Sequence, residues 1–380
     1  MPQPDSGTPL ARLTLVRQPE QPATPLQAFD AADEYLLHHL QEQGGLAGHE
    51  RLLLLNDSFG ALACALAGQA RITSSGDSHL GYLALQKNLA RNACPTDNLC
   101  FVPASQPLQG PFDRVLIRIP KTLALLEEQL IRLQGQLAPG ARVVAAAMLK
   151  HLPRSAGGLL ERHIGPVQAS LAVKKARLLQ ATPAPRPGQV SPYPSLYRLE
   201  QPPITLSNQA SLFCREGLDI GTRTLLPHLQ ARPERHRVAD LGCGNGILGI
   251  VHALHNPEAQ LILVDESYMA VQSARDNWQA LLGARPVQII AADGLAGQPP
   301  GSLDLVLCNP PFHQQQVVGD FLASRMLRQA WQALACGGEL LLVGNRHLGY
   351  HQRLRRLFGS VRQLDATPKF VVLLARKTAT

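Results

Sequence analysis

Two short motifs in the C-terminal half of the chain combine residue types and spacings suited to ligand chemistry. In Val238–Gly249 an apolar run delivers Asp240, then Gly242, Gly244 and Gly246 with Cys243 and Asn245 between them; a helix is expected from about Ile247. Glycines at that spacing let the backbone turn sharply and approach a ligand closely. Asp265-Glu266 ends the next apolar run, Leu261–Val264, and Asp265 lies 19 residues beyond Gly246. A carboxylate there suits the hydroxyls of a ribose. Asp293-Gly294 follows a third run, Val287–Ile290, and reads as a ligand contact or as a turn and helix cap. A Gly-rich strand–turn–helix serves nicotinamide cofactors and S-adenosylmethionine alike. Asp240 separates the two, because a carboxylate ahead of the glycines repels a pyrophosphate and attracts a ligand carrying an amino group and a sulfonium. The cofactor expected is S-adenosylmethionine.

The second motif is Cys308-Asn309-Pro310-Pro311-Phe312-His313, after the apolar run Leu303–Leu307. Two prolines remove two N–H donors and fix φ, which leaves a rigid strand end rich in acceptors. An exocyclic amine conjugated to a base is a poor nucleophile, since its lone pair is delocalised. The Asn309 side-chain oxygen and the Pro310 carbonyl can bind its hydrogens and aim the lone pair at a methyl group. Phe312 can stack on the base. Such catalysis is mainly positioning and electrostatics. Alone, Asn-Pro-Pro reads as a surface turn; its place after a strand, downstream of the glycines and an acid, favours the site. Cys308 reads as packing, and His313 as a substrate contact or a surface histidine.

These motifs need strands that end together and helices that cover them. Apolar runs alternate with helix-length stretches throughout, which predicts βαβ units and mainly parallel sheets. The pattern occurs twice. Arg51–Gly60 resembles Arg237–Gly246; Gly76-Asp77-Ser78 resembles Val264-Asp265-Glu266-Ser267; Gln86–Asn92 resembles Ala274–Trp278; Asp113–Lys121 resembles Asp304–Phe312; and Ala172–Arg177 resembles Lys369–Arg376. Between the halves, Ala181–Pro203 holds seven prolines and reads as an extended connector. The domains expected are thus 1–180, a connector 181–203, and 204–380. The fold class is α/β, two tandem Rossmann-like domains from a duplication, the first degenerate. That first copy keeps one glycine, Gly60, of the three, and Ile119-Pro120-Lys121 is read in place of Asn309-Pro310-Pro311.

The chain has 380 residues, a net charge of +8, and 7 Lys among its 36 basic residues. An Arg excess fits a polyanionic partner, or simply an Arg-rich proteome. In the first half, Lys121, Lys150, Arg154, Arg162, Lys174, Lys175 and Arg177 are candidate phosphate contacts. No apolar run spans a bilayer and no leader is evident, so a cytoplasmic protein without membrane contact is expected. The seven cysteines lack a C-x-x-C and read as reduced thiols. Pairs such as His252/His255 and His347/His351 lack acidic or Cys companions, so no metal is expected.

Asp240–Gly246 resembles the first motif of class I S-adenosylmethionine-dependent methyltransferases, and Asn309–Phe312 the Asn-Pro-Pro-Phe/Tyr motif of those acting on planar amines. Further stretches, Ala28–Leu37, Pro120–Glu127, Gly217–Gly221, Asn309–Gln315 and Asn345–Leu348, together with the duplicated plan, resemble the ribosomal RNA guanine-N2 methyltransferases, most closely the large-subunit branch. The resemblance covers essentially the whole chain. It implies methylation of the 2-amino group of one guanine in 23S rRNA, with a cofactor-free first domain that helps bind RNA. It implies that Gly242–Gly246 line the cofactor, Asp240 lies near its methionine part, Asp265 holds the ribose and Asp293 sits on the adenine side. Asp219 would shape the pocket or cap a helix. The connector and the Ser155–Gly158 loop depart from the family pattern, which bears on RNA fit rather than chemistry. Rivals are a 16S rRNA substrate, adenine-N6 or protein glutamine methylation, a catalytically silent RNA-binding protein and a dehydrogenase. Each domain can cover its own sheet, which favours a monomer.

Overall fold

Leu52–Leu55 and Val238–Leu241 are buried on both faces, as central parallel strands covered by helices must be. They sit in two separate sheets. The computed structural model describes residues 9–20, 26–185, 188–311 and 317–378. Met1–Pro192 and Tyr193–Thr380 form two compact units. The first contains α1 (Ala31–Glu42), β1 (Arg51–Leu55), α2 (Ala61–Leu66), β2 (Arg71–Gly76), α3 (His79–Arg91), β3 (Leu99–Pro103), β4 (Phe112–Arg118), α4 (Leu123–Arg132), β5 (Leu137–Met148), α5 (Ala156–His163), β6 (Val167–Ala169) and β7 (Ala176–Ala181). The second opens with a hairpin, β8 (Ser195–Arg198) and β9 (Thr205–Asn208). It continues with α6 (Ile220–Leu225), β10 (Arg237–Leu241), α7 (Ile247–His255), β11 (Gln260–Asp265), α8 (Tyr268–Leu282), β12 (Gln288–Ala291), β13 (Leu303–Cys308), α9 (Val317–Ala333), β14 (Leu334–Asn345), α10 (Tyr350–Phe358), β15 (Gly359–Ala366) and β16 (Phe370–Lys377).

Both sheets have the same topology. Their orders are β3-β2-β1-β4-β5-β7-β6 and β12-β11-β10-β13-β14-β16-β15, with six strands running one way and a single strand, β7 or β16 next to the edge, running against them. Strand order reverses between β1 and β4, and between β10 and β13. In an open α/β sheet the crevice at that point, outside the carboxyl ends of the strands, is where ligands bind.

The likeness between the copies extends to single bonds. The N–H of Arg51 donates to the Asp113 carboxylate at 2.8 Å, and that of Arg237 to Asp304 at 2.9 Å. Asn88 in α3 donates to the carbonyls of Val16 and Phe59 at 2.9 and 2.8 Å and accepts from Val16 N–H. Asn277 in α8 does the same with Ser207 and Asn245. Each buried amide ties an upstream segment to the loop after the central strand. Ser78 and Ser267 cap α3 and α8 by accepting from the N–H three residues on.

Two sequence expectations need correction. The connector is shorter than 181–203, because Ser195–Arg198 pairs with Thr205–Asn208 in the second unit, with Pro202 and Pro203 confined to the turn region. The pairing Leu52↔Arg114 matches Val238↔Leu305, so Arg118 stands where Asn309 does. Ile119-Pro120-Lys121 therefore replaces Pro310-Pro311-Phe312, in line with the match of Asp113–Lys121 to Asp304–Phe312 and one residue off the reading that set it against Asn309-Pro310-Pro311. All seven cysteines are free.

Candidate active site

At the carboxyl end of β10 the three glycines have three different jobs. Gly242 (φ +73°) makes the first turn, and its N–H and that of Cys243 donate to the Val264 carbonyl of β11. Gly244 (φ +55°) has open space where a Cβ would stand, so a ligand can lie against its backbone. Gly246 (φ +85°) lets α7 approach the sheet: a Cβ there would come within 3.1 Å of Leu263 and 3.2 Å of Ala274. Cys243 contributes backbone only; its side chain is buried in the core and burial pushes the thiol pKa well up. The Asn245 side chain binds Asn208 and Tyr197 of the hairpin and accepts from Ile247 N–H, which braces the loop.

Asp265 is oriented by backbone. Its carboxylate accepts from the backbone N–H groups of Gly244 at 2.9 Å, Ser267 at 3.0 Å and Glu266. Burial raises its pKa against those bonds. Glu266 beside it is exposed. Asp293, after β12, is held by Arg325 of α9 through both carboxylate oxygens. Gly294 (φ +54°) is a glycine because Gln329 of α9 lies where its Cβ would be.

Asp240 is fully buried behind the loop. One oxygen accepts from Gly249 N–H at 2.8 Å; the other has no partner among the described residues. Burial lifts its pKa to about 7, with the Asp265 charge adding to the push and the Gly249 bond opposing it. Between pH 4 and 7 the folded chain then holds a proton that the unfolded chain has released, so stability falls as pH rises through that window. Asp240→Asn keeps the Gly249 bond without this cost. Its melting temperature should gain on the native chain by roughly 5 °C between pH 5 and pH 8. Asp57, also lifted to about 7 in the first unit, is common to both chains and cancels. A difference that does not change with pH would sink the assignment.

Asn309 follows β13. Its Nδ2 donates to Thr222 Oγ1 at 2.7 Å and to the two oxygens of Asp219 at 3.2 and 3.4 Å. A carboxylate only accepts, so the amide orientation is decided by chemistry and Oδ1 must face the other way. That Oδ1 is buried and has no partner among the described residues. Asp219 is the N-cap of α6, accepting from Thr222 N–H at 3.0 Å. It is therefore a helix cap that positions Asn309. The sequence signal for this was the Asp219-x-x-Thr222 spacing. Pro310 is buried and Pro311 exposed. Phe312 and His313 lie outside the described residues.

Among its described residues the first unit has none of this chemistry. Leu54 takes the place of Asp240 and Gly76 that of Asp265. Arg118 binds Asp30, the N-cap of α1, at 2.9 and 3.0 Å, and Asp33 at 2.6 Å. Asp30 and Asp33 occupy the positions of Asp219 and Thr222, so an ion cluster fills the vestigial site. Of the candidate RNA contacts, Lys121, Lys150, Arg154 and Lys175 are exposed. Lys174 and Arg162, also exposed, are near Glu34 and Glu127 at 3.3 and 3.7 Å. Arg177 is half-buried.

A parallel sheet with a glycine loop at its switch point, a backbone-oriented acid on the next strand and an Asn-Pro-Pro strand end defines a Rossmann-like methyltransferase. Residues 203–374 match the family described as methyltransferase small domain, and residues 4–185 the family described as RLMG N-terminal domain. A relative from Stutzerimonas stutzeri is 72% identical over 97% of this chain and 98% of its own length; one from Ectopseudomonas mendocina is 70% identical over 97% and 99%. Both are named ribosomal RNA large subunit methyltransferase G. The chain belongs to the ribosomal RNA large subunit methyltransferase G family. Its fold is shared along 99% of its length, at a TM-score of 0.76 and 20% identity, with a T. thermophilus 16S rRNA N2 methyltransferase solved with AdoMet and guanosine, 97% of which is covered. Among the described residues no helix is long and apolar enough to cross a membrane, and no cluster of His, Cys, Asp or Glu could hold a metal ion.

Proposed function

We propose that the second unit binds S-adenosylmethionine at the carboxyl ends of β10 to β12 and transfers its methyl to the 2-amino group of a guanine in 23S rRNA. The observation that carries this reading is the buried, unpartnered Oδ1 of Asn309, whose Nδ2 is locked by Asp219 and Thr222. A buried acceptor left unmade costs about 1–3 kcal/mol, so the site asks for a donor. The residues present fit the cofactor. Gly244 offers open backbone, the Asp265 carboxylate suits ribose hydroxyls, and the free oxygen of Asp240 suits an ammonium. Asp293 has outer lone pairs for an adenine amine beyond those taken by Arg325.

The cofactor supplies a methyl already activated by positive sulfur. The protein's work is on the amine. Asn309 Oδ1 and the Pro310 carbonyl accept its two hydrogens, which favours a pyramidal nitrogen with its lone pair directed at the methyl. As the N–C bond forms, the nitrogen becomes strongly acidic, so no strong base is needed to take its proton. The guanine must leave its stack, or already be unpaired, to reach Asn309. Phe312 would stack on it. Residues 1–180 form a cofactor-free RNA-binding domain, and the protein acts as a cytoplasmic monomer. The relatives' name favours the large-subunit RNA over a 16S substrate.

The test incubates the protein with labelled S-adenosylmethionine and separate pools of unmodified large- and small-subunit rRNA, followed by nucleoside analysis. Label in N2-methylguanosine from the large-subunit pool is expected. Label in N6-methyladenosine, or none in RNA, would overturn the reading.

A further inference from the structure

Asn345, like Asn309, carries a buried amide oxygen without a partner among the described residues at this end of the sheet. It is 2% exposed, and its Oδ1 has no hydrogen-bond partner among the described residues. It stands at the N-cap of the 3-10 turn Arg346–Leu348, where an Asn ordinarily caps, yet its side chain makes no cap bond. Its place relative to Asn309 follows from the sheet. β13 and β14 are parallel neighbours, with Cys308 opposite Leu342. Asn309 is one residue past that pair and Asn345 three residues past it, at the carboxyl ends of adjacent strands. Strand spacing and rise put them roughly 8 Å apart along the backbone.

They also share a face. Leu305 and Leu307 of β13 and Leu341 and Val343 of β14 belong to one core layer, while Val306, Cys308, Leu340 and Leu342 belong to the other. Alternation places Asn345 in the first layer, as does its partner across β16, Phe370. That layer includes Leu225 of α6, and α6 is the helix whose first turn holds Asn309. Two amide oxygens without a partner among the described residues therefore lie on one face, both on the β13–β14 side of the switch point.

Resting on the guanine-N2 reading, we propose that Asn345 is a specificity-determining residue whose Oδ1 accepts the N1–H of the flipped guanine while Asn309 holds the 2-amino group. Guanine carries two kinds of donor, N1–H and the 2-amino hydrogens, on one edge; hydrogen bonds of about 2.9 Å at each end let that edge bridge the two oxygens. Adenine presents a bare N1 acceptor at the corresponding place, which would set lone pair against lone pair. Sites built around a substrate donor reject analogues lacking it.

The test uses an rRNA fragment containing the guanine labelled in the assay above, and the same fragment with 2-aminopurine there, which keeps the 2-amino group but has no N1–H. The preference, measured as kcat/KM for guanine over 2-aminopurine, should fall at least tenfold in Asn345→Ala. In Asn345→Asp, whose oxygens only accept, it should hold or widen; this second variant decides the matter should the alanine chain not fold. An alanine preference within threefold of native, or an Asp preference that falls, overturns the role. Absence of label in N2-methylguanosine with the native chain overturns the reaction itself. Label present with an unchanged preference overturns the role alone.

Discussion

Asn309→Ala is expected to slow methyl transfer by about 10²–10³-fold while leaving S-adenosylmethionine affinity within about twofold. The split follows from the geometry. The groups assigned to the cofactor belong to the carboxyl ends of β10 to β12, and none of them bonds to Asn309. Asn309 instead bonds Asp219 and Thr222 and keeps a buried Oδ1 without a partner among the described residues. Alanine removes the acceptor that shapes the amine and frees Asp219, which keeps its cap bond to Thr222 N–H. Single-turnover transfer and calorimetric cofactor titration separate the two effects. Transfer within tenfold of native would remove Asn309 from the chemistry.

Arg118→Ala should destabilise the first unit by about 3 kcal/mol. Burial works against the charge on Arg118, but Asp33 and Asp30 outweigh it and push the guanidinium pKa up. Removing the cation leaves Asp33, almost wholly buried, beside Asp30 with no countercharge. Arg118→Met combined with Asp30→Ala and Asp33→Leu removes the charges together and should recover most of the loss. Denaturant unfolding followed by far-UV circular dichroism reads both. A single-variant loss below 1 kcal/mol would show that solvent compensates the cluster.

The comparison of the copies shows how far sequence reasoning reaches. Glycine spacing placed the loop of β10 correctly, because only glycine adopts three left-handed conformations in five residues. Asp265 was legible because it ends the strand next to that loop. The repeated landmarks at Asn88 and Asn277 proved to be the same device at the bond level. The one-residue slip at Ile119 arose because proline spacing was followed, whereas sheet register sets the correspondence. Asn245, read as a loop ligand, turned inward to a hairpin that begins within the expected connector. Asp293 and Gly294 were legible as a motif, but α9 supplies their partners, Arg325 and Gln329, from more than 30 residues away.

Local chemistry is what the sequence determined by itself: which strands are buried, where the backbone must turn, and which short runs have acceptors in the right order. These depend on neighbouring residues, so they survive without knowledge of the fold. The tertiary structure alone decided which atoms remain free. Asp219 could be a cap, a ligand or both until α6 was seen against Asn309, and Asn345 was only a strand-end residue until its oxygen was found buried without a partner. A hydrogen bond left unmade is a property of everything packed around a group, and no stretch of neighbouring residues encodes it.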